Sequence, residues 1–199
     1  YEAIDPVRFI GNHSSGKMGY ALAEVALKMG AAVTLISGPS SEKISYPSLK
    51  LIKVVSAEEM LTAVQEFYDS TDIAIAAAAV ADFKPKKIAS NKLKKESGLA
   101  HISLVPTVDI LSYMGEKKKK QKLIGFALET ENELEHAKGK LSRKNLDGIV
   151  LNSLQDPDAG FSVTTNKITF IHADFRAESY PLQSKLECAQ RIFEQILTL

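Results

Sequence analysis

The chain predicts a Rossmann-like, doubly wound α/β fold, a mostly parallel sheet between helices with an antiparallel hairpin edge near the C-terminus. Three observations carry that expectation. Short apolar runs alternate with helical patterns from Tyr20 to Leu151. Asp72 to Val80 is apolar on both faces, as a central parallel strand is. From Asn166 the pattern changes to Lys167–His172, a short strand near Ser179 to Leu182 and a final amphipathic helix from Ser184, which reads as the hairpin edge.

Taken in order, Val7 to Ile10 is too short to be the first strand that a doubly wound sheet wants. Tyr20 to Lys28 places Ala21, Leu22, Val25 and Ala26 at helical spacing, with Met29 following and Gly30 as the stop. Ala32 to Ser37 then reads as a buried strand, Gly38 to Ser41 as a loop and Leu49 to Val55 as a second strand. Ser56 with Glu59 three residues on is a capping-box signature for the next helix. The alanines of the Asp72–Val80 run permit close backbone approach at its carboxyl end, where ligands collect in open α/β sheets. Residues 83–98 read as a lysine-rich loop, and Ile102–Val105, Leu123–Ala127 and Asp147–Leu151 as further strands separated by helices.

Composition narrows the function classes. With 199 residues, 45% of them hydrophobic, one domain spanning 1–199 is expected. The net charge of +1 announces no basic face, because the lysines cluster locally in residues 84–95, 117–122 and 138–144, and nucleic acid is not the expected partner. Cys188 stands alone among Leu186, Ala189 and Ile192, which predicts a packed thiol in a reduced, cytoplasmic setting. No apolar run approaches a membrane span.

The most informative stretch is Gly11 to Gly19, a glycine-rich turn entering a helix. Such a turn exposes amide N–H groups that the first helical turn cannot satisfy, and the helix dipole adds partial positive charge, so Gly11, Asn12, Ser14, Ser15 and Gly16 form a phosphate or carboxylate loop. The G-x-x-x-x-G-K spacing approaches a P-loop, but Met18 stands where a hydroxyl would ligate magnesium. Asn12 offers an amide that can donate to an anionic oxygen and accept from an amine. Asp82 follows the alanine-rich strand at the switch-point position. Lys92 to Lys95 supplies ammonium groups able to neutralise a triphosphate, Phe126 a ring able to wall a base pocket, and Lys140 and Lys144 a cationic helical face. His13 has no H-x-x-H or C-x-x-C neighbours, so no metal site of protein ligands is expected. Two other readings remain: a short-chain-type NAD(P) oxidoreductase, motivated by Ser14, Ser15 and Gly16 but without a well-placed Tyr-x-x-x-Lys pair, and a noncatalytic nucleotide sensor.

DPVRFIGNHSSGKMGYALAE, the AAAVADF run with its KLKK, VDIL, GFALET and KLSRKNLDGIVLN together resemble the bacterial, CTP-dependent phosphopantothenate-cysteine ligase family. The resemblance covers Asp5 to about Phe170. It implies a coenzyme A biosynthesis ligase that uses CTP and Mg²⁺ to join 4′-phosphopantothenate to L-cysteine through an acyl cytidylate, releasing CMP and pyrophosphate. By matching position it implies that Asn12 handles the acyl cytidylate and that Lys92 contacts CTP, with Ala78, Asp82, Val108, Asp109, Ile110, Leu111, Phe126, Lys140 and Lys144 at the nucleotide. It also implies a homodimer, a strand and TAGPT-like turn ahead of Tyr1, and fusion to or association with a flavin-dependent decarboxylase outside this chain. Pro106-Thr107-Val108 replaces a common Lys-Asn-Pro and Leu128 a common Ala.

Overall fold

A computed structural model describes residues 1–94, 101–129, 131–153 and 163–199. Strands β1 (Glu2–Ala3) and β2 (Phe9–Ile10) open the chain as an antiparallel pair. The backbone then turns through Gly16 at φ +84°, where a Cβ would also meet Ser40 Oγ at 2.9 Å, and enters helix α1 (Lys17–Lys28). Helix α1 buries Tyr20, Leu22, Ala23, Val25, Ala26 and Leu27, one stripe of the 3.6-residue period. Met29, beyond the helix, is exposed.

Strands β3 (Val33–Ser37) and β4 (Leu49–Lys53) pair in parallel. Ser56 caps α2 (Ala57–Phe67) by accepting the Glu59 amide at 3.2 Å, while the Glu59 carboxylate reaches back to the Val55 amide rather than to that of Ser56. A 3₁₀ turn, Tyr68–Ser70, leads to β5 (Ile73–Ala76), and β6 (Phe83–Pro85) and β7 (Leu104–Pro106) form an antiparallel hairpin. Helix α3 (Ile110–Lys117), β8 (Lys122–Glu129), α4 (Glu133–Arg143) and β9 (Gly148–Ser153) follow. The chain ends with β10 (Thr165–Asn166), β11 (Ile168–His172), β12 (Ala177–Ser179), β13 (Gln183–Ser184) and α5 (Lys185–Ile196), the last opened by a full capping box between Ser184 and Glu187.

The main sheet has five strands in the order β12-β11-β9-β8-β5. β5, β8 and β9 are parallel, and β11 and β12 add the antiparallel edge that the C-terminal pattern predicts. Side chains alternate across it. Ile124 and Val150 join Leu22, Val25, Phe170, Cys188 and Ile192 beneath α1 and α5, whereas Leu123, Ala127, Ile149 and Leu151 join Ile110, Met114, Ala137 and Leu141 beneath α3 and α4. Each such large side chain contributes about 1.5–3 kcal/mol of burial, which makes β8 and β9 the anchor of the fold.

Three expectations are corrected. The Asp72–Val80 run forms a strand only over Ile73–Ala76, and it is the edge of its sheet, with Ile73 37% exposed. The β3–β4 pair shares no ladder with the five-stranded sheet and is only partly buried, since its strands bond only to each other. Residues 83–85 are strand rather than loop, and residues 104–106 pair with them instead of joining the parallel sheet. No helix among the described residues is long and apolar enough to cross a membrane.

Candidate active site

The carboxyl ends of β5 and β8 gather most of the residues singled out in the sequence. Beyond Ala76 the chain leaves its ladder, and the Ala79 carbonyl accepts the Asn12 side-chain amide at 2.7 Å, which ties the glycine-rich loop to the segment carrying Ala78 and Asp82. That loop is shaped by close contacts. Ser40 Oγ donates to the Ser15 carbonyl at 2.7 Å, and a Cβ on Gly11 would lie 2.7 Å from the Tyr1 ring, which stacks on Phe9. Gly16 provides no side-chain cap to α1. Ala78, Asp82 and Asn12 are exposed, and Ser14 and Ser15 half-buried.

A second set of bonds brings in the segment before α3. Thr107 donates its amide to the Asp82 carbonyl at 2.9 Å and its hydroxyl to the Ala81 carbonyl, which ties the residue just before Val108 to Asp82. Asp109 caps α3 by accepting the Ser112 amide at 2.8 Å and pairs with Lys144, whose ammonium also donates to Ser112 Oγ at 2.6 Å. Burial works to raise the Asp109 carboxyl, but the hydrogen bonds from Lys144 and the Ser112 amide outweigh it and hold the group below the ordinary carboxylate range. Lys140 Nζ donates to the Phe126 carbonyl at 2.7 Å. Burial pushes its pKa down and Lys144 adds to that, against the attraction of Glu129, Asp109 and Asp82. Two lysines and three carboxylates thus share one end of the sheet, and two of those groups, Asp109 and Lys140, are held away from their ordinary pKa.

Two expectations change in kind. The Phe126 ring packs against the α1/α5 core, so what this residue turns toward Lys140 is its carbonyl and not an aromatic wall. The Ile110 side chain is buried in the α3/α4 core, which leaves its backbone as the part able to meet a ligand. Gly19 has open space around its would-be Cβ, so the turn needs Gly16 and not Gly19.

Lys92 stands apart. Among the described residues no contact joins it to Asp82 or Lys140; it is exposed, on the rim of a concavity of about 1320 Å³ that Lys86, Lys87, Lys94 and His101 also line. Its neighbour Leu93 is bound to Asp5 and Arg8, 88 and 85 positions earlier in the chain. Lys95 and Thr130, the last residues of KLKK and GFALET, lie outside the described residues. Sequence reasoning missed Asp5 and Glu129. An Asp-Pro pair is a turn signal that points at Asp5, and Glu129 is marked only by its place at the carboxyl end of β8. Lys118, Lys119 and Lys120 pair with Asp147, Asp69 and Asp72, away from this site. Among the described residues no group of three or more His, Cys, Asp or Glu side chains is placed to hold a metal ion.

Residues 1–199 match the family described as DNA/pantothenate metabolism flavoprotein C-terminal domain. A protein of an unknown prokaryotic organism named cysteine/cysteine sulfinic acid decarboxylase is 52% identical over 199 residues, covering 100% of this chain and 55% of that protein. The coenzyme A biosynthesis bifunctional protein CoaBC of Bacillus subtilis is 48% identical over 198 residues, covering 100% of this chain and 49% of the relative. The chain therefore spans about half the length of these curated relatives, and the activity in each name is that of a longer protein. Among solved structures, the crystal structure of the C-terminal domain of a CoaBC superposes with a TM-score of 0.82 at 43% identity, covering 99% of this chain and 90% of that one. This coverage, with the fold and the clustering at the sheet's carboxyl edge, places the chain in the DNA/pantothenate metabolism flavoprotein C-terminal domain family.

Proposed function

We propose that the chain is a phosphopantothenate-cysteine ligase of coenzyme A biosynthesis that uses CTP. The observation that carries the reading is the Asn12–Ala79 bond, which ties the glycine-rich loop to the segment leading into Asp82, whose charge acts together with Asp109 and Lys144 on Lys140. Such an arrangement suits a nucleotide phosphate held at the helix N-terminus with its remainder across the sheet edge.

In this reading a carboxylate oxygen of 4′-phosphopantothenate attacks the α-phosphorus of CTP, the bond to the β-phosphate oxygen breaks, and pyrophosphate leaves. The amine of L-cysteine then attacks the acyl carbon, the acyl-oxygen bond breaks, CMP leaves, and the amine gives up a proton. The first step needs little beyond alignment and charge neutralisation. Lys92 meets the triphosphate, Lys140 and Lys144 hold the nucleotide, and Asn12 contacts the cytidylate. Mg²⁺ would arrive on the triphosphate and add to its charge neutralisation.

The proposal extends to a cytoplasmic homodimer working with a flavin-dependent decarboxylase. Val7, Phe9, Phe83, Ile88 and Leu104 are exposed apolar side chains, of the kind that self-association would cover.

The test supplies CTP, Mg²⁺, 4′-phosphopantothenate and L-cysteine and measures CMP, pyrophosphate and the ligated product, with ATP and NADPH in parallel. CMP with product is expected from CTP; turnover with NADPH alone would favour the oxidoreductase. Lys92→Gln slows cytidylate formation. Asn12→Asp, which sets a carboxylate against the Ala79 carbonyl, impairs handling of the intermediate. Normal turnover of both variants refutes these assignments.

A further inference from the structure

We propose that Asp5 is a positioning residue that fastens the lysine segment, residues 86–94, to the strand leading into the glycine-rich loop, so that one buried carboxylate sets Lys92 and Asn12 in a common frame. The part concerning Lys92 rests on the ligase reading; the fastening does not.

The Asp5 side chain is wholly buried, and both its oxygens are engaged. Oδ1 accepts the Val7 and Arg8 amides at 2.8 and 2.9 Å, and Oδ2 accepts Arg8 Nε at 2.9 Å, the second Arg8 guanidinium nitrogen, and the Leu93 amide at 3.1 Å. That guanidinium nitrogen also donates to the Leu93 carbonyl at 2.7 Å. The residue beside Lys92 is thus gripped at its N–H by Asp5 and at its C=O by Arg8, from partners 88 and 85 positions away. A second tie is the Ala89 amide, which donates to the Ile4 carbonyl at 3.0 Å. The Arg8 hydrogen bonds, helped by the backbone amides, hold the Asp5 carboxyl far below the usual range despite its burial, so it stays charged.

The geometry favours a positioning role over simple bracing. From Arg8 the chain reaches Asn12 in four residues, at most about 14 Å of extended backbone. Asn12 is itself pinned to Ala79. Lys92 directly precedes the gripped residue, while its own side chain is left exposed. Movement of the Asp5–Arg8 pair is therefore passed to a cation on one side and to the anion loop on the other.

Hydrogen exchange is followed at the Leu93 and Ala89 amides in Asp5→Asn and, in case that variant folds poorly, Arg8→Met, with Ile124 and Val150 as core controls. Cytidylate formation is then measured in Asp5→Asn, Lys92→Gln and the double variant. The proposal expects Leu93 exchange to accelerate at least about tenfold with the core amides unchanged, because a local fastening opens without global unfolding. It also expects Asp5→Asn to slow cytidylate formation about tenfold alone but less than about twofold in the Lys92→Gln background, since residues acting through one another are not additive. Unchanged Leu93 exchange in both variants overturns the fastening, and rates that multiply overturn its action through Lys92. A wild-type enzyme that forms no CMP sinks the ligase reading, while the exchange measurement still decides the fastening.

Discussion

Gly115→Ala is the sharpest test of how the site is assembled. Gly115 sits in α3 where a Cβ would lie 2.0 Å from the Lys144 carbonyl oxygen and 2.9 Å from its carbon. Those are backbone atoms, so no rotamer relieves the contact, and α3 must separate from the turn after α4 by more than an ångström. The turn is fixed in its own right: Asn145 sits at φ +52° and donates its side-chain amide to the Gly115 carbonyl at 3.0 Å. Overpacking of this kind costs about 1–3 kcal/mol and more when the backbone must move. The helix-forming gain of alanine over glycine returns only about 1 kcal/mol. A net loss of about 2 kcal/mol lowers the melting temperature of a domain this size by about 4–8 °C. Gly19→Ala is the matched control, because it is helical with nothing within 4 Å of its would-be Cβ, and it should raise the melting temperature instead. Calorimetric melts of the two variants check the reasoning, and a Gly115→Ala protein as stable as Gly19→Ala refutes it. The same displacement parts Lys144 from Asp109 and Ser112, so the KM for CTP rises in Gly115→Ala.

Two further predictions come from buried titratable groups. Burial holds Lys140 below the ordinary lysine value of 10.5, so as pH climbs through the lowered value toward 10.5 the folded chain releases its proton first, the unfolded chain binds more, and stability rises with pH. Urea unfolding over that alkaline window should show the rise in wild type and lose it in Lys140→Met; an identical slope in both would mean that the ammonium is solvated. Burial likewise pushes the Cys188 thiol up to about 11, and Sγ contacts the Asn166 carbonyl at 3.5 Å. The native protein should therefore resist iodoacetamide at neutral pH and react once unfolded, and Cys188→Ser should keep its pyrophosphate release; rapid labelling of the native protein contradicts this.

What the sequence by itself determined was local. Gly16 before α1, Ser56 as a cap, Ser184 as the start of the last helix, and the apolar runs that became β8 and β9 are legible because each acts within a turn or a strand of its own position. The nine-residue run at Asp72–Val80 misled for the same reason: an apolar run on both faces suggests burial, not which neighbours its ladder finds, and β5 became an edge. Tertiary structure alone decided the β6–β7 hairpin, the turning of the Phe126 ring into the core with its carbonyl left for Lys140, and the grip of Asp5 on Leu93. Those depend on pairing between positions far apart in the chain, where the outcome is set by which strand edges and buried polar groups remain unsatisfied after the core has packed, and no local pattern encodes that competition.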